Sequence, residues 1–204
     1  MEFIYSATVV FLTSYLCGAI PFGYLIGRIN GIDIRKYGSH NIGATNVTRV
    51  LGGAMGKVCF LCDFLKGALP VFIFGASWCS GWGGVIAATG TVLGHIYSFW
   101  MSFRGGKGVA TSLGALLALS FWPVVIGAVV WYAVYRKTLV VAIASIVIAF
   151  VIPLSACILR LARWHFTAWP AVLLMAVIGA MVIWRHRENI ARMLQGKELA
   201  FKKN

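Results

Sequence analysis

Acidic side chains are scarce here: five Asp and Glu stand against 18 Lys and Arg in 204 residues, a formal net charge of +13. Charge of either sign is scarce as well, at 11% of residues, whereas 60% are hydrophobic. So little charge cannot clothe a soluble domain, and a mean hydropathy of +0.87 places the chain among membrane proteins. The basic excess would suggest nucleic acid in a soluble chain. Here the Lys and Arg stand at the ends of apolar runs, so lipid headgroups, phosphorylated substrates and topology account for them, and no nucleic-acid partner is expected. A basic leader is lacking too. The stretch 3–26 outruns the h-region of a secretory signal and reads as a first span that stays. The cysteines at 17, 59, 62, 79 and 157 are odd in number and scattered mostly through apolar segments, which excludes a disulfide framework. Cys59 and Cys62 form a C-x-x-C with no second Cys or His pair at zinc spacing. They read as small packing residues, and neither a metal nor a cofactor is expected. There is no internal repeat and no low-complexity linker, so residues 1–204 read as a single membrane domain.

What is present is a series of apolar runs at 3–27, 58–78, 84–101, 109–135, 138–159 and 166–184. Most match the roughly 20 residues a helix needs to cross the hydrocarbon. The run 109–135 is one long tilted helix or two short ones that break between Ser120 and Pro123, where proline favours an interruption. The distribution of basic residues decides. With six spans they divide almost evenly between the two sides. With seven, Arg28, Arg35, Lys36, Arg49, Lys57, Arg104, Lys107, Arg136, Lys137 and the six basic residues of 185–203 share one side, and only Arg160 and Arg163 face the other. The expected fold is therefore all-α and integral to the membrane. It has seven transmembrane helices, some short or re-entrant, with the N-terminus outside and the C-terminus cytoplasmic.

This topology predicts that three polar segments share one face. In the first, KYGSHNIGATNVTRVLGG, Gly38 and Gly43 permit close backbone approach, while Ser39, Asn41, Thr45, Asn46 and Arg49 offer donors. On a helix that starts after Gly43, Thr45 and Arg49 stand four apart on one face, which suits a single oxyanion. An ordinary polar connector whose arginine meets phospholipid headgroups fits the same residues. In the second, SFRGGKGVAT, consecutive glycines let amides converge on an anion beside Arg104 and Lys107. It also fits a flexible cationic turn. It is not a Walker A loop, which would need Gly in place of Met101 and Ser or Thr in place of Gly108.

The third segment, WRHRENIARMLQGKE, puts His186, Glu188 and Asn189 directly after a span, with Arg185, Arg192 and Glu198 close by. A headgroup contact and a site both fit, and three different polar functions at one membrane exit favour the site. Asp63 and Lys66 sit inside the second span, where each charge costs ~2.5–3.5 kcal/mol on insertion scales. They form a mutual pair three residues apart, or Lys66 lends its charge to an anion site nearby. His95, in GHIYSFW, reads as a residue that packs or hydrogen-bonds in its span, close enough to the cationic turn to support it.

Together GSHNIGATNVTR, DFLKG with GHIYSFWMSFRGGKGVAT, and HRENIARMLQGKE resemble the signature segments of the bacterial acyl-phosphate:glycerol-3-phosphate acyltransferases, in order and spacing over essentially the whole chain. The resemblance implies an integral enzyme of the inner membrane, working at its cytoplasmic face. It would move a fatty acyl group from acyl phosphate to the 1-hydroxyl of glycerol 3-phosphate, giving lysophosphatidic acid and phosphate. Carried over by position, the catalytic set is Ser39, Asn41, Thr45, Arg49, His186 and Asn189. Substrate binding falls to Asn46, Arg104, Gly105, Gly106, Lys107, Gly108 and Lys66, with Glu188 and Asp63 in support. One departure is His40, where the family usually has glycine; if that position needs a positive φ, histidine tolerates it less well.

The implied chemistry suits the residues. Two phosphate-bearing substrates held together need several cations, which Arg49, Lys107, Arg104 and Lys66 can supply. The other large class of glycerolipid acyltransferases resembles an H-x4-D pattern, and none of the four histidines here has Asp five positions on. The base is therefore His186 or substrate phosphate itself. A small anion or lipid-phosphate transporter is the alternative of a different class. It would also use cationic turns and intramembrane charge, but it would place such residues at the midplane and often in paired repeats.

Overall fold

The structure, a computed structural model, describes residues 1–75, 78, 81–164 and 167–201. Cys79, His165, Lys202 and Lys203 lie outside the described residues. All regular secondary structure among the described residues is helical. The chain separates into two compact units, Met1–Leu119 and Ser120–Asn204.

The first unit begins with α1 (Glu2–Ala19) and α2 (Phe22–Ile29). The run expected as one span is thus interrupted at Ile20 and Pro21, because proline has no N–H to continue the ladder. After a 3₁₀ turn at Ile34–Lys36 come α3 (Ala44–Leu51), α4 (Gly53–Phe74), α5 (Gly83–Ile96) and α6 (Val109–Leu119). Helix α1 crosses α5, and α4 crosses α6, at backbone contact. A Cβ added at Gly18 would strike the Thr91 carbonyl, and one at Gly94 the Tyr15 carbonyl; Gly67 and Gly114 lie in the same way against the carbonyls of Thr111 and Phe64. Such small-residue crossings replace hydrophobic driving force with van der Waals packing. Pro70 inside α4 deprives the Lys66 carbonyl of its helical donor, and the Cys17 thiol of α1 supplies one at 3.7 Å.

The second unit holds α7 (Phe121–Thr138), α8 (Val141–Leu161), α9 (Trp169–Arg185) and α10 (Arg187–Leu194). The break expected between Ser120 and Pro123 falls at Ser120, whose backbone is extended (φ −159, ψ 111). Pro123 occupies the first turn of α7, where its missing N–H costs nothing. The Ser120 hydroxyl pairs with Thr167 Oγ1 at 2.6 Å. Helix α10 leaves α9 at a bend of 51°. The following tail folds back, and the Phe201 amide donates to the Leu139 carbonyl at 3.0 Å.

By length and hydropathy, Glu2–Ile29 and Val141–Leu161 can cross a membrane, and the bent pair α9 and α10 forms a further candidate. Helix α4 is long enough but carries Lys57, Asp63 and Lys66. The 11 residues of α6 reach only about 16 Å, about half the hydrocarbon thickness.

Candidate functional site

Residues 34–52 are built as a loop on a small core of their own. Ile34, Ile42 and Val47 pack with Ile26 of α2 and Cys59 of α4. Asp33 caps the 3₁₀ turn, its carboxylate accepting from the Arg35 amide at 3.1 Å and from the guanidinium at 2.9 and 2.7 Å. Those hydrogen bonds from Arg35 hold the Asp33 carboxyl down at about 2.

The organiser of this loop is Asn46. It is 1% exposed. Its Oδ1 accepts the Ser39 amide at 2.8 Å, and its Nδ2 faces the carbonyls of Ile34, Tyr37 and Asn41 at 3.3, 3.0 and 2.9 Å. The side chain is thereby turned into the loop. Asn41 caps the start of α3, its Oδ1 accepting the Gly43 amide at 2.9 Å. Ser39, Asn41, Thr45 and Arg49 are half-buried around this frame, and Thr45 and Arg49 share one face of α3 as the spacing predicts. His40 does adopt a positive φ, of 58°. Its ring compensates locally, Nδ1 pairing with the Arg35 carbonyl at 2.9 Å.

The glycine-rich turn leaves α5 through the 3₁₀ turn Phe99–Met101. The amides of Gly105 and Gly106 do not open into the nest that consecutive glycines permit. The Gly105 N–H donates to the Ile96 carbonyl at 3.0 Å and the Gly106 N–H to the His95 carbonyl at 3.2 Å. The two glycines serve instead to lay the chain directly on α5, since a Cβ at Gly105 would meet the His95 carbonyl and one at Gly106 the His95 ring. Arg104 is exposed and Lys107 half-buried, and Gly108 (φ 88) turns the chain into α6.

Beneath the turn lies a buried polar group. Lys66 Nζ sits 2.7 Å from Asp63 Oδ1, both side chains 3% exposed, and donates to the Ile20 carbonyl at 2.6 Å. It thus caps the interrupted end of α1, as Ser98 does by donating to the Ala19 carbonyl at 2.6 Å. Asp63 Oδ1 also lies 3.6 Å from His95 Nδ1. Lys66 is committed to protein partners on two sides.

In the second unit, His186 is shared by the end of α9 and the start of α10. Its ring is buried, with Nδ1 2.7 Å from the Val182 carbonyl. A carbonyl only accepts, so the proton sits on Nδ1 and Nε2 is the basic nitrogen of the neutral ring. Asn189, also buried, donates to Glu198 Oε1 at 2.6 Å, while Glu198 Oε2 receives the Arg192 Nε–H at 2.8 Å. The acid that reaches Asn189 is therefore Glu198, nine residues on. Glu188 stands exposed in the first turn of α10. The spacing of Glu198 gave no sign of this, because the connection depends on the tail reversing after Gly196 (φ 67).

Helices of membrane-crossing hydropathy, with polar chemistry confined to three motifs, define an α-helical integral membrane protein. The model of the family described as glycerol-3-phosphate acyltransferase matches residues 8–196. Among curated relatives, a glycerol-3-phosphate acyltransferase of Aquifex aeolicus is 41% identical over 191 residues, covering 92% of this chain and 95% of the relative. One from Desulfotalea psychrophila is 39% identical over 210 residues, covering the whole of both chains. Among solved structures, the glycerol 3-phosphate form of PlsY, an integral membrane glycerol 3-phosphate acyltransferase, superposes with a TM-score of 0.88 at 39% identity, over 97% of this chain and 96% of that one. The lysophosphatidic acid form gives a TM-score of 0.86 at 38% identity, with the same coverage. The chain belongs to the glycerol-3-phosphate acyltransferase family.

Proposed function

We propose that this protein transfers a fatty acyl group from acyl phosphate to the 1-hydroxyl of glycerol 3-phosphate, with residues 1–204 acting as one catalytic domain. The carbonyl carbon gains a bond to the glycerol oxygen and loses its bond to phosphate; the hydroxyl proton passes to the base, and lysophosphatidic acid and inorganic phosphate leave. The observation that carries this reading is the near full-length likeness to the glycerol 3-phosphate form of a membrane acyltransferase, at a TM-score of 0.88.

In this reading Arg49 and Lys107, with Arg104 at the rim, hold two mutually repelling phosphates in one site. Ser39, Asn41 and Thr45 surround the acyl phosphate. The turn 105–108 receives glycerol 3-phosphate, and His186 and Asn189 are the catalytic residues that the resemblance gives in the second unit. Asn46 and Lys66 act through the backbone they hold, since both side chains are buried against it. Catalysis is then mostly positioning and charge stabilisation, with phosphate a good leaving group. The base is substrate phosphate or Nε2 of His186. The acyl chain lies in lipid between helices.

The matching topology has seven spans, taking α1 with α2, then α4, α5, α6, α7, α8 and α9 in turn, with α6 too short to cross alone without thinning or re-entry. The N-terminus is then outside, and the three motifs work at the cytoplasmic face of the bacterial inner membrane.

The test is phosphate release by the purified protein given palmitoyl phosphate, with and without glycerol 3-phosphate. Release that needs both substrates and yields lysophosphatidic acid supports the proposal, as does a raised requirement for glycerol 3-phosphate in Lys107→Ala. A folded protein with no release above background overturns it. A His186→Ala enzyme with an unchanged rate at saturation leaves substrate phosphate as the base.

A further inference from the structure

In the chemistry above, the buried group beneath the glycine-rich turn touches neither substrate. Lys66, Asp63 and His95 are 3%, 2% and 5% exposed, and removing charged groups from water costs several kcal/mol per ion before pairing repays it. From α1 the group runs in one direction: the Ile20 carbonyl, then Lys66 Nζ at 2.6 Å, Asp63 Oδ1 at 2.7 Å, and His95 Nδ1 at 3.6 Å. It ends at the turn. The His95 ring occupies the space that a Gly106 side chain would need, and the His95 carbonyl takes the Gly106 amide at 3.2 Å.

We infer that His95, its ring oriented by Asp63, is a positioning residue that seats the glycine-rich turn and thereby sets where Lys107 meets the phosphate of glycerol 3-phosphate. This rests on the acyltransferase reading of residues 105–108. The ring does not serve as the base. Its Nε2 faces the Gly106 backbone, and no face of the residue is open to a substrate. Asp63 Oδ1 lies beside the ring Nδ1 at 3.6 Å, an electrostatic contact, and Lys66 ties Asp63 to the interrupted end of α1. Loss of the ring lets the turn sink toward α4, and a displacement of about 1 Å at a cation clamp can cost on the order of a hundredfold.

Full-length protein in detergent is compared as wild type, His95→Ala, His95→Gln, Gly106→Ala and the double variant His95→Ala with Gly106→Ala. Thr91→Ala, buried one turn earlier on α5, is the packing control. Two readouts are taken: steady-state phosphate release, and amide hydrogen exchange over residues 103–108, which needs no substrate. In His95→Ala, KM for glycerol 3-phosphate should rise about tenfold or more, with kcat and KM for palmitoyl phosphate changed less than about threefold. Exchange at Gly105 and Gly106 should quicken about tenfold. Ring and methyl compete for one space, so the double variant should be no worse than its worse parent. Thr91→Ala should leave KM and exchange alone.

Unchanged KM and exchange in His95→Ala overturn the inference. So do effects that multiply in the double variant, and so does a Thr91→Ala variant with the same KM defect. If His95→Ala does not fold, His95→Gln decides, since an amide keeps a donor for Asp63 but not the ring: an intermediate KM defect supports the inference and a wild-type value overturns it. A wild-type protein without glycerol 3-phosphate-dependent release removes the acyltransferase reading instead, while exchange still reports whether His95 seats the turn.

Discussion

Gly38 and Asn46 occupy one another's space: the Asn46 Oδ1 stands where a Gly38 Cβ would be, and from there it takes the Ser39 amide at 2.8 Å. Gly38 also has a φ of 61°. Gly38→Ala therefore meets both a steric clash and an unfavourable backbone region. Displacing the Asn46 side chain strands buried carbonyls and an amide, at about 1–3 kcal/mol each. The expected outcome is a fall in melting temperature in detergent and loss of most activity, because Ser39 moves with its amide. Asn46→Asp should fare no better, since a carboxylate would face the three carbonyls that now accept from Nδ2.

His40→Gly should be close to neutral. Relief of the left-handed backbone is worth about 1–2 kcal/mol, and loss of the Nδ1 contact to the Arg35 carbonyl costs about 0.5–1.5 kcal/mol. His40→Val has the strain without the hydrogen bond. It should destabilise the loop and weaken turnover, as a thermal-melt and rate comparison of the two variants would reveal.

Glu198→Ala should be far more damaging than Arg192→Ala. Its side chain is 6% exposed and removing it takes from the buried Asn189 amide the acceptor it donates to at 2.6 Å, a loss of about 1–3 kcal/mol. Arg192 is 31% exposed, and its share of the pair is screened to below about 1 kcal/mol. Melting temperatures of the two variants test the order, and a smaller drop in Glu198→Ala than in Arg192→Ala would refute it.

Asp33 supplies a pH prediction. Its carboxyl is held at about 2 by Arg35, against an ordinary value of about 3.9. A depressed folded value means that the contact contributes in full above about 3.9 and is lost as pH falls toward 2. Between pH 5 and 8 it contributes no pH dependence to activity. Carbon-detected NMR of the Asp33 carboxyl should titrate near 2 in the wild type and return toward the ordinary range in Arg35→Gln.

Much of this arrangement was legible beforehand because it follows local rules. The break at Ser120 follows from Pro123 and from the asymmetry of basic residues, and the shared face of Thr45 and Arg49 follows from helical period. The positive φ at His40 agrees with the glycine that the resemblance implies for that position. What escaped the sequence depended on partners remote in the chain. The interruption at Pro21 is hidden inside a continuous apolar run, and its carbonyls are capped by Lys66 and Ser98 from two other segments. The inward amides of Gly105 and Gly106 could not be told from outward ones, since glycine permits both. Glu198 reaches Asn189 only because the tail turns back after α10.

The link from Lys66 to the Ile20 carbonyl also bears on assembly in the membrane. Asp63 and Lys66 lie on one helix, so in the proposed seven-span topology α4 would enter lipid with its two opposite charges paired at 2.7 Å. The acceptor at Ile20 belongs to a segment that precedes α4 in the chain, so in the proposed topology it is synthesised before Lys66. The charge that would hinder insertion of α4 is thus the feature that sets its docking depth against α1. Vectorial synthesis, from the N-terminus onward, provides the two partners in the order the contact requires.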